Sequence, residues 1–224
     1  MKRMILAFVF NFLPWKMRCY MLNKVFHHNI HSDAYISRCA LLDIQRIEMA
    51  SGAVISAGNV IKGLSSLKMQ EHSYIGTLNW ISGYPLMPCA KHFASDPHRA
   101  CSLQMEAHSC ISSRHIIDCT DKVTLGEYST VAGYRSQILT HSVNIKESKQ
   151  RCSPVTIGKY CFIGTSVTIL PGSVLPDYCV LAANSLLNKQ EQVQWSLYGG
   201  VPAKKIGDLQ RENVYFQRKI GFID

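Results

Sequence analysis

Residues 157–189 read IGKYCF, IGTSVT, ILPGSV, LPDYCV, LAANSL, LNK. An aliphatic side chain returns every sixth position, at Ile157, Ile163, Ile169, Leu175, Leu181 and Leu187. The fifth residue of each unit is small: Cys161, Val167, Ser173, Cys179 and Ser185. A helix would repeat at about 3.6 residues and an ordinary strand at about 2. A fixed step of six means one short flat strand and one corner per unit, with three units closing a coil. The chain is therefore expected to be an all-β solenoid, a parallel β-helix.

The same step runs backward through the chain. It begins at Met49, Ile55 and Ile61, and returns at Met69, Ile75 and Ile81. It resumes at Met105, Ile111 and Ile117, then at Leu125, Val131 and Gln137. With three faces per coil, face A holds 49, 69, 105, 125, 157 and 175. Face B holds 55, 75, 111, 131, 163 and 181, and face C holds 61, 81, 117, 137, 169 and 187. Every irregular step follows a C position, so the insertions are expected along one edge of the prism, where solenoids often bind. The boundaries read from this pattern are an N-terminal helical cap over 1–34, a β-helix over 35–189 with loops at 83–104 and 143–156, and a tail over 190–224. Part of that tail is needed to cover the last coil.

Composition agrees with one folded repeat domain. The chain has 224 residues, 47% hydrophobic and 17% charged. Its net charge of +9 comes from scattered basic residues, so nucleic acid is not an expected partner. Nine cysteines include no C-x-x-C pair, and Cys161 and Cys179 sit in small-residue slots. Buried free thiols are expected, which point to a reducing, cytoplasmic compartment. The apolar opening stretch is too short to span a bilayer. Lys2, Arg3, Lys16 and Arg18 flank it, so it reads either as a cap over the first coil or as a weak membrane-surface contact.

His141, in QILTHS at the start of the second loop, is the sharpest chemical candidate. A near-neutral imidazole on the insertion edge can act as a general base on a hydroxyl. Counting back one coil places Asp121 under His141 and Asp118 under Ile138, and either carboxylate there would orient the ring. The fifth-residue slot between faces B and C holds Asn59, Asn79, His115 and Arg135, large and polar where the repeat wants small residues. Two readings stand: a hydrogen-bonded ladder inside the prism, or a corner turned outward, with Asn79 and His115 as substrate contacts. His92 and His98 lie on the first loop, within reach of a substrate.

The final run followed by YGGVPAK resembles the hexapeptide-repeat acyltransferases, in which G-x-P-A-K follows the last coil. Within that class, SRHIIDCTD with QILTHS looks like the O-acetyltransferases of polysaccharide biosynthesis, colanic acid acetyltransferases among them. The resemblance spans about residues 49–206. It implies a left-handed β-helix, against the usual crossover rule, and a homotrimer with active sites between subunits. It implies acetyl-CoA as donor and a sugar or polysaccharide-precursor hydroxyl as acceptor, with His141 as base. By position in its motifs, Thr165, Ala183, Lys189 and Lys204 would contact acetyl-CoA, the two lysines at its phosphates. The zinc sites of some hexapeptide-repeat proteins need histidines five apart. No H-x-x-x-x-H pair occurs here, so no metal is expected. An antibiotic- or serine-type acetyltransferase and a non-catalytic β-helix binding module remain the rival readings.

Overall fold

The computed structural model describes residues 13–38, 41–86, 92–221 and 223. The architecture is a left-handed parallel β-helix; among the described residues a short α-helix lies at its N-terminal end and a tail returns along its side. Register confirms the six-residue reading rung by rung. On face A, Met49 pairs with Met69, Met69 with Met105, Met105 with Leu125, Leu125 with Ile157 and Ile157 with Leu175. On face B, Ile55, Ile75, Ile111, Val131, Ile163 and Leu181 follow one another in the same way. These side chains are nearly all 0–1% exposed. They form one column of core, each contributing about 1.5–3 kcal/mol by leaving water.

Face C differs at one rung. Ile138, not Gln137, pairs with Ile117 and with Ile169. Ile138 is 2% exposed while Gln137 faces outward. From Val131 to Ile138 is seven residues, one more than the repeat. The corner absorbs the extra residue with Gly133 and Arg135 both in the left-handed region. A one-residue slip would otherwise turn Gln137 into the core.

The first two coils are joined by longer strands. Leu41–Met49 runs beside Val60–Met69, with a register shift between Asp43 and Ile44. Gly63, at φ 74°, is the extra residue of that bulge. The eight-residue step from Ile61 to Met69 is thus a continuous strand that turns the corner with Leu64 and Leu67 inside.

Strand pairing reaches beyond residues 35–189 at both ends. Asn29–Ile30 pairs with the end of Leu41–Met49, and Ser196–Gly199 adds a rung to face B beside Val180–Leu181. Lys204–Asp208 then folds back antiparallel to it. At the other end, helix α1 (Trp15–Lys24) closes the first coil. Its Leu22 joins the core, Arg18 donates to the Ser37 carbonyl at 2.9 Å, and the Asn23 side chain grips both backbone groups of Ile30. Residues of this helix thus pack against the first coil. The apolar stretch 1–12 lies outside the described residues. Among the described residues no helix is long and apolar enough to cross a membrane.

The corner between faces A and B carries a stack of rings: His72, His108, Tyr128, Tyr160, Tyr178 and Trp195, with centroids 4.1–5.5 Å apart. The tail lies along it. Phe216 packs edge-on against Tyr178 and Trp195, Tyr160 donates to the Arg218 carbonyl at 2.9 Å, and Tyr215 donates to the Cys161 carbonyl at 3.0 Å. Seven cysteines among the described residues are free thiols, and burial raises the pKa of Cys161 and of Cys179, the latter to about 11.

Candidate active site

The corner between faces C and A carries both insertions, and the candidate site forms between them. The second is a hairpin rather than an open loop: His141–Asn144 pairs with Lys149–Cys152, His141 opposite Cys152. The first runs from 83 to 101. Residues 102–104, assigned to it from the sequence, belong to the strand Ser102–Met105, because Leu103 is inward and pairs with Leu67. Residues 87–91 of this loop lie outside the described residues. A cavity of about 390 Å³ opens there, lined by Ser82, Tyr84, His92, Phe93, His141 and Gln150, with Asp118, Thr120 and Gly83 at its base. A methyl group on Gly83 would sit 2.5 Å from Cys101 Sγ and 2.8 Å from the Cys119 carbonyl oxygen, so only glycine fits under the cavity.

His141 and Asp118 meet here. Asp118 ends the strand Ile116–Asp118, and His141 lies three residues beyond Ile138, its partner rung. The imidazole Nδ1 is 2.7 Å from Asp118 Oδ2. The same oxygen accepts from the backbone N–H groups of Thr140 (2.8 Å) and His141 (3.1 Å), and lies 2.9 Å from the Thr140 hydroxyl. Asp118 Oδ1 accepts the Thr120 N–H at 3.0 Å and its hydroxyl at 2.6 Å. Burial alone would raise the Asp118 carboxyl. The side-chain hydrogen bonds of His141 and Thr120, the Thr140 N–H and the histidine's charge outweigh it and hold the pKa at about 2. The hydrogen bond to Asp118 raises the His141 pKa, burial works against it, and the carboxylate charge adds to the rise. With an ionised carboxylate at Nδ1, that nitrogen keeps its proton and Nε2 carries the lone pair. The side chain of His141 is 43% exposed and that of Asp118 is 11% exposed. This is a histidine oriented by a carboxylate and open to the cavity, which suits proton abstraction from a bound hydroxyl.

Asp121 does not reach the imidazole. Its Oδ1 accepts from the N–H groups of Ala100 (2.9 Å) and Lys122 (2.7 Å), and so pins the end of the first loop. The corner turns between the two aspartates, which is why only Asp118 points along the hairpin. Asp96 works similarly from the loop side, taking the Cys152 N–H at 3.1 Å.

Asn79 and His115 turn inward, not toward a ligand. Each is 1% exposed. Asn59 Oδ1 accepts the Asn79 N–H, Asn79 Oδ1 accepts the His115 N–H, and His115 Nδ1 accepts the Ser136 N–H at 3.1 Å. Ser136, not Arg135, is the fourth rung, for the same extra residue that moves Gln137 outward. Burial lowers the His115 pKa to about 4, so it is a neutral structural histidine. The side chains answer the backbone groups of a corner that short strands leave unpaired.

Thr165 and Ala183 lie elsewhere, exposed in successive coils on the corner between faces B and C. The Asn184 N–H donates to the Thr165 carbonyl, and Gly164 lies directly against Ala183. The Thr165 hydroxyl is already engaged with the Tyr134 backbone. Lys189 follows Leu187 on the His141 corner, two rungs toward the C-terminal end, and pairs with Glu191 at 3.3 Å. Lys204 is exposed in the strand that closes that end. Among the described residues no group of three or more His, Cys, Asp or Glu is placed to hold a metal ion. His92 lines the cavity, with its ring 5.5 Å from that of Tyr84. The sequence reading missed Tyr84, Phe93, Arg99 and Gln150, because nothing in their spacing marks which loop residues fold over the histidine.

No family profile matches the chain. It is 35% identical over 86 residues to "Putative acetyltransferase YvoF" of Bacillus subtilis (strain 168), a match covering 38% of this chain. The matched stretch is 48% of that protein, so the chain spans about half the length of the curated relative it matches. Among solved structures it is similar to the polysialic acid O-acetyltransferase OatWY, with TM-score 0.59 and 16% identity over 81% of this chain and 84% of that one. It is also similar to a mutant of AntD, an N-acyltransferase from Bacillus cereus solved with dTDP-4-amino-4,6-dideoxyglucose and coenzyme A. There the TM-score is 0.59 and the identity 15%, over 75% of this chain and 87% of that one. What these likenesses show is the architecture: the chain has the hexapeptide-repeat left-handed β-helix fold of those acyltransferases.

Proposed function

We propose that the protein is an acetyl-CoA-dependent O-acetyltransferase acting on a hydroxyl of a sugar or polysaccharide precursor. The observation that carries this reading is the 2.7 Å contact of His141 with Asp118, both lining one cavity. His141 Nε2 takes the proton of the acceptor hydroxyl, and Asp118 stabilises the imidazolium that results. The oxygen attacks the acetyl carbonyl, and the thiol of coenzyme A leaves with the proton from His141. The donor's thioester supplies the activated acyl group. The residues that fit it are the small, exposed Thr165 and Ala183 beside Gly164, and the cationic Lys189 and Lys204 for its phosphates. The relatives named above, an O-acetyltransferase of polysialic acid and a coenzyme A-bound N-acyltransferase, support the same class of chemistry.

A homotrimer belongs to this proposal. His141 and the Thr165–Ala183 pair sit on different corners of one prism, so a donor reaching both is better served by two neighbouring chains. Face C and its corner expose Leu78 (53%), Trp80 (46%), Ile116 (47%) and Tyr134 (56%), an apolar strip suited to burial against another copy. A cytoplasmic setting and the polysaccharide branch are proposed on the same footing.

The test is acetyl transfer by the full chain, followed as coenzyme A thiol release with acetyl-CoA and a panel of glycosides. Activity is expected in the wild type, with loss of at least about 10²-fold in His141→Ala. Full activity in that variant would refute the role of His141.

A further inference from the structure

The first loop is held by a buried cation. Arg99 is 8% exposed and donates to the carbonyls of Tyr84 (2.6 Å), Thr120 (2.7 Å) and Pro85 (3.0 Å). Its guanidinium carbon lies 4.9 Å from the ring centroid of Phe93 and 5.7 Å from that of Tyr84. The planar fork thus ties both ends of the loop to the coil that carries Asp118, and its charge lies over two rings. Phe93 is 5% exposed with φ 58°. A bulky residue in that region costs about 1–3 kcal/mol and persists only where its surroundings enforce it. On its other side Phe93 meets the His141 ring edge-on, with centroids 5.8 Å apart and planes at 87°.

We infer that Phe93 is the acceptor-side wall of the site and that Arg99 is a positioning residue that holds Phe93 against the His141 imidazole. This deepens the proposed function and rests on it for the word acceptor. The chemistry of the cavity agrees. Tyr84 and Phe93 offer an aromatic wall, and Ser82 and Gln150 offer a hydroxyl and an amide. A ring-shaped polyol has one apolar C–H face and a rim of hydroxyls, and fills such a space better than an open chain does. Lys at position 99 could not reproduce the grip, since an ammonium cannot reach several carbonyls in one plane while stacking on a ring.

The test has two arms, both on the whole 224-residue chain. In the first, histidine-labelled protein is observed by NMR, and the His141 ring resonance is identified by its loss in His141→Ala. Phe93→Leu removes the ring current and is expected to shift that resonance. Arg99→Lys is expected to shift it in the same sense, and to add little in a Phe93→Leu background. A resonance unmoved by Arg99→Lys, or a double variant shifted by the sum of the two, overturns the positioning role. In the second arm, acetyl transfer is measured with methyl hexopyranosides and open-chain hexitols. Phe93→Leu is expected to raise KM for pyranosides about tenfold, with kcat and the KM for acetyl-CoA held within about twofold. A fall in kcat alone, or an equal rise in both KM values, overturns the wall. If Arg99→Lys does not fold, Phe93→Leu and Phe93→Ala still decide the second arm. A wild type that shows the NMR coupling but transfers no acetyl group overturns the acetyltransferase reading and the acceptor wall, and leaves the Arg99–Phe93 contact established.

Discussion

Asp118→Asn is the most informative single substitution, because the structure specifies what the new amide must do. Oδ2 faces two backbone N–H groups and the histidine Nδ1. An NH2 group there would oppose those three donors, with only the Thr140 hydroxyl able to accept from it. The amide nitrogen must therefore take the Oδ1 position, where it opposes the Thr120 N–H, while the Thr120 hydroxyl can rotate to accept from it. The fold survives with one buried N–H poorly satisfied. Asparagine approximates the protonated carboxyl, so the cost follows from linkage. Asp118 is held at about 2 against an ordinary value of 3.8. That difference is worth on the order of 2 kcal/mol at neutral pH. For a chain of 224 residues the melting midpoint should fall by about 4–8 °C. The sign is that of a depressed carboxyl: the contribution is present above the ordinary carboxyl range and is lost as pH falls toward about 2. The wild-type minus variant stability difference should therefore shrink in acid.

The effect on activity has a separate signature. A histidine serving as general base must be neutral, and Asp118 raises the pKa of His141. The wild-type kcat/KM should climb with pH through an inflection above the ordinary histidine value. In Asp118→Asn that inflection should move down, while the plateau falls by about 10²-fold or more as ring orientation and imidazolium stabilisation are lost. Thiol release across pH 5–9, set beside an NMR titration of His141, measures both. An unchanged inflection together with an unchanged plateau would refute the pairing as a catalytic device.

Other outcomes follow from the same geometry. Ile138→Ala should cost about 2–4 kcal/mol in chemical denaturation, and Gln137→Ala less than about 0.5, since only the former is inside the coil. Asn79→Leu should destabilise by about 1–3 kcal/mol, leaving the His115 N–H and the Ser112 carbonyl without their partner, yet leave the acceptor KM unchanged. Asp121→Ala should free the Ala100 N–H and speed amide exchange in residues 92–101, without moving the His141 pKa. Lys204→Ala should raise KM for acetyl-CoA several-fold and spare the acceptor KM, a comparison best made at low salt.

The fold was legible in the sequence because its cause is local and repeated. One inward aliphatic per six residues dictates flat strands and corners, and in-register stacking of like residues then sets which rungs pair. The same count placed both insertions on one corner and drew attention to His141. The count could not see the extra residue before Ile138. A corner with Gly133 and Arg135 in left-handed conformations swallows it without disturbing the hydrophobic pattern on either side. Nor could it choose Asp118 over Asp121, since both lie one coil from the histidine and only the direction of the backbone at the turn separates them. Asn79 and His115 read equally well as ligand contacts or as an internal ladder until the hydrogen bonds to neighbouring coils were in view. Arg99, Phe93 and Tyr84 carried no signal at all, for their contacts join residues from 84 to 141 through space. Periodic burial is written along the chain, and so the solenoid, its register on faces A and B and its loop-bearing edge came from sequence alone. The identity of the histidine's partner and the wall of the cavity depend on side-chain direction and on contacts between coils, which only the tertiary structure decides.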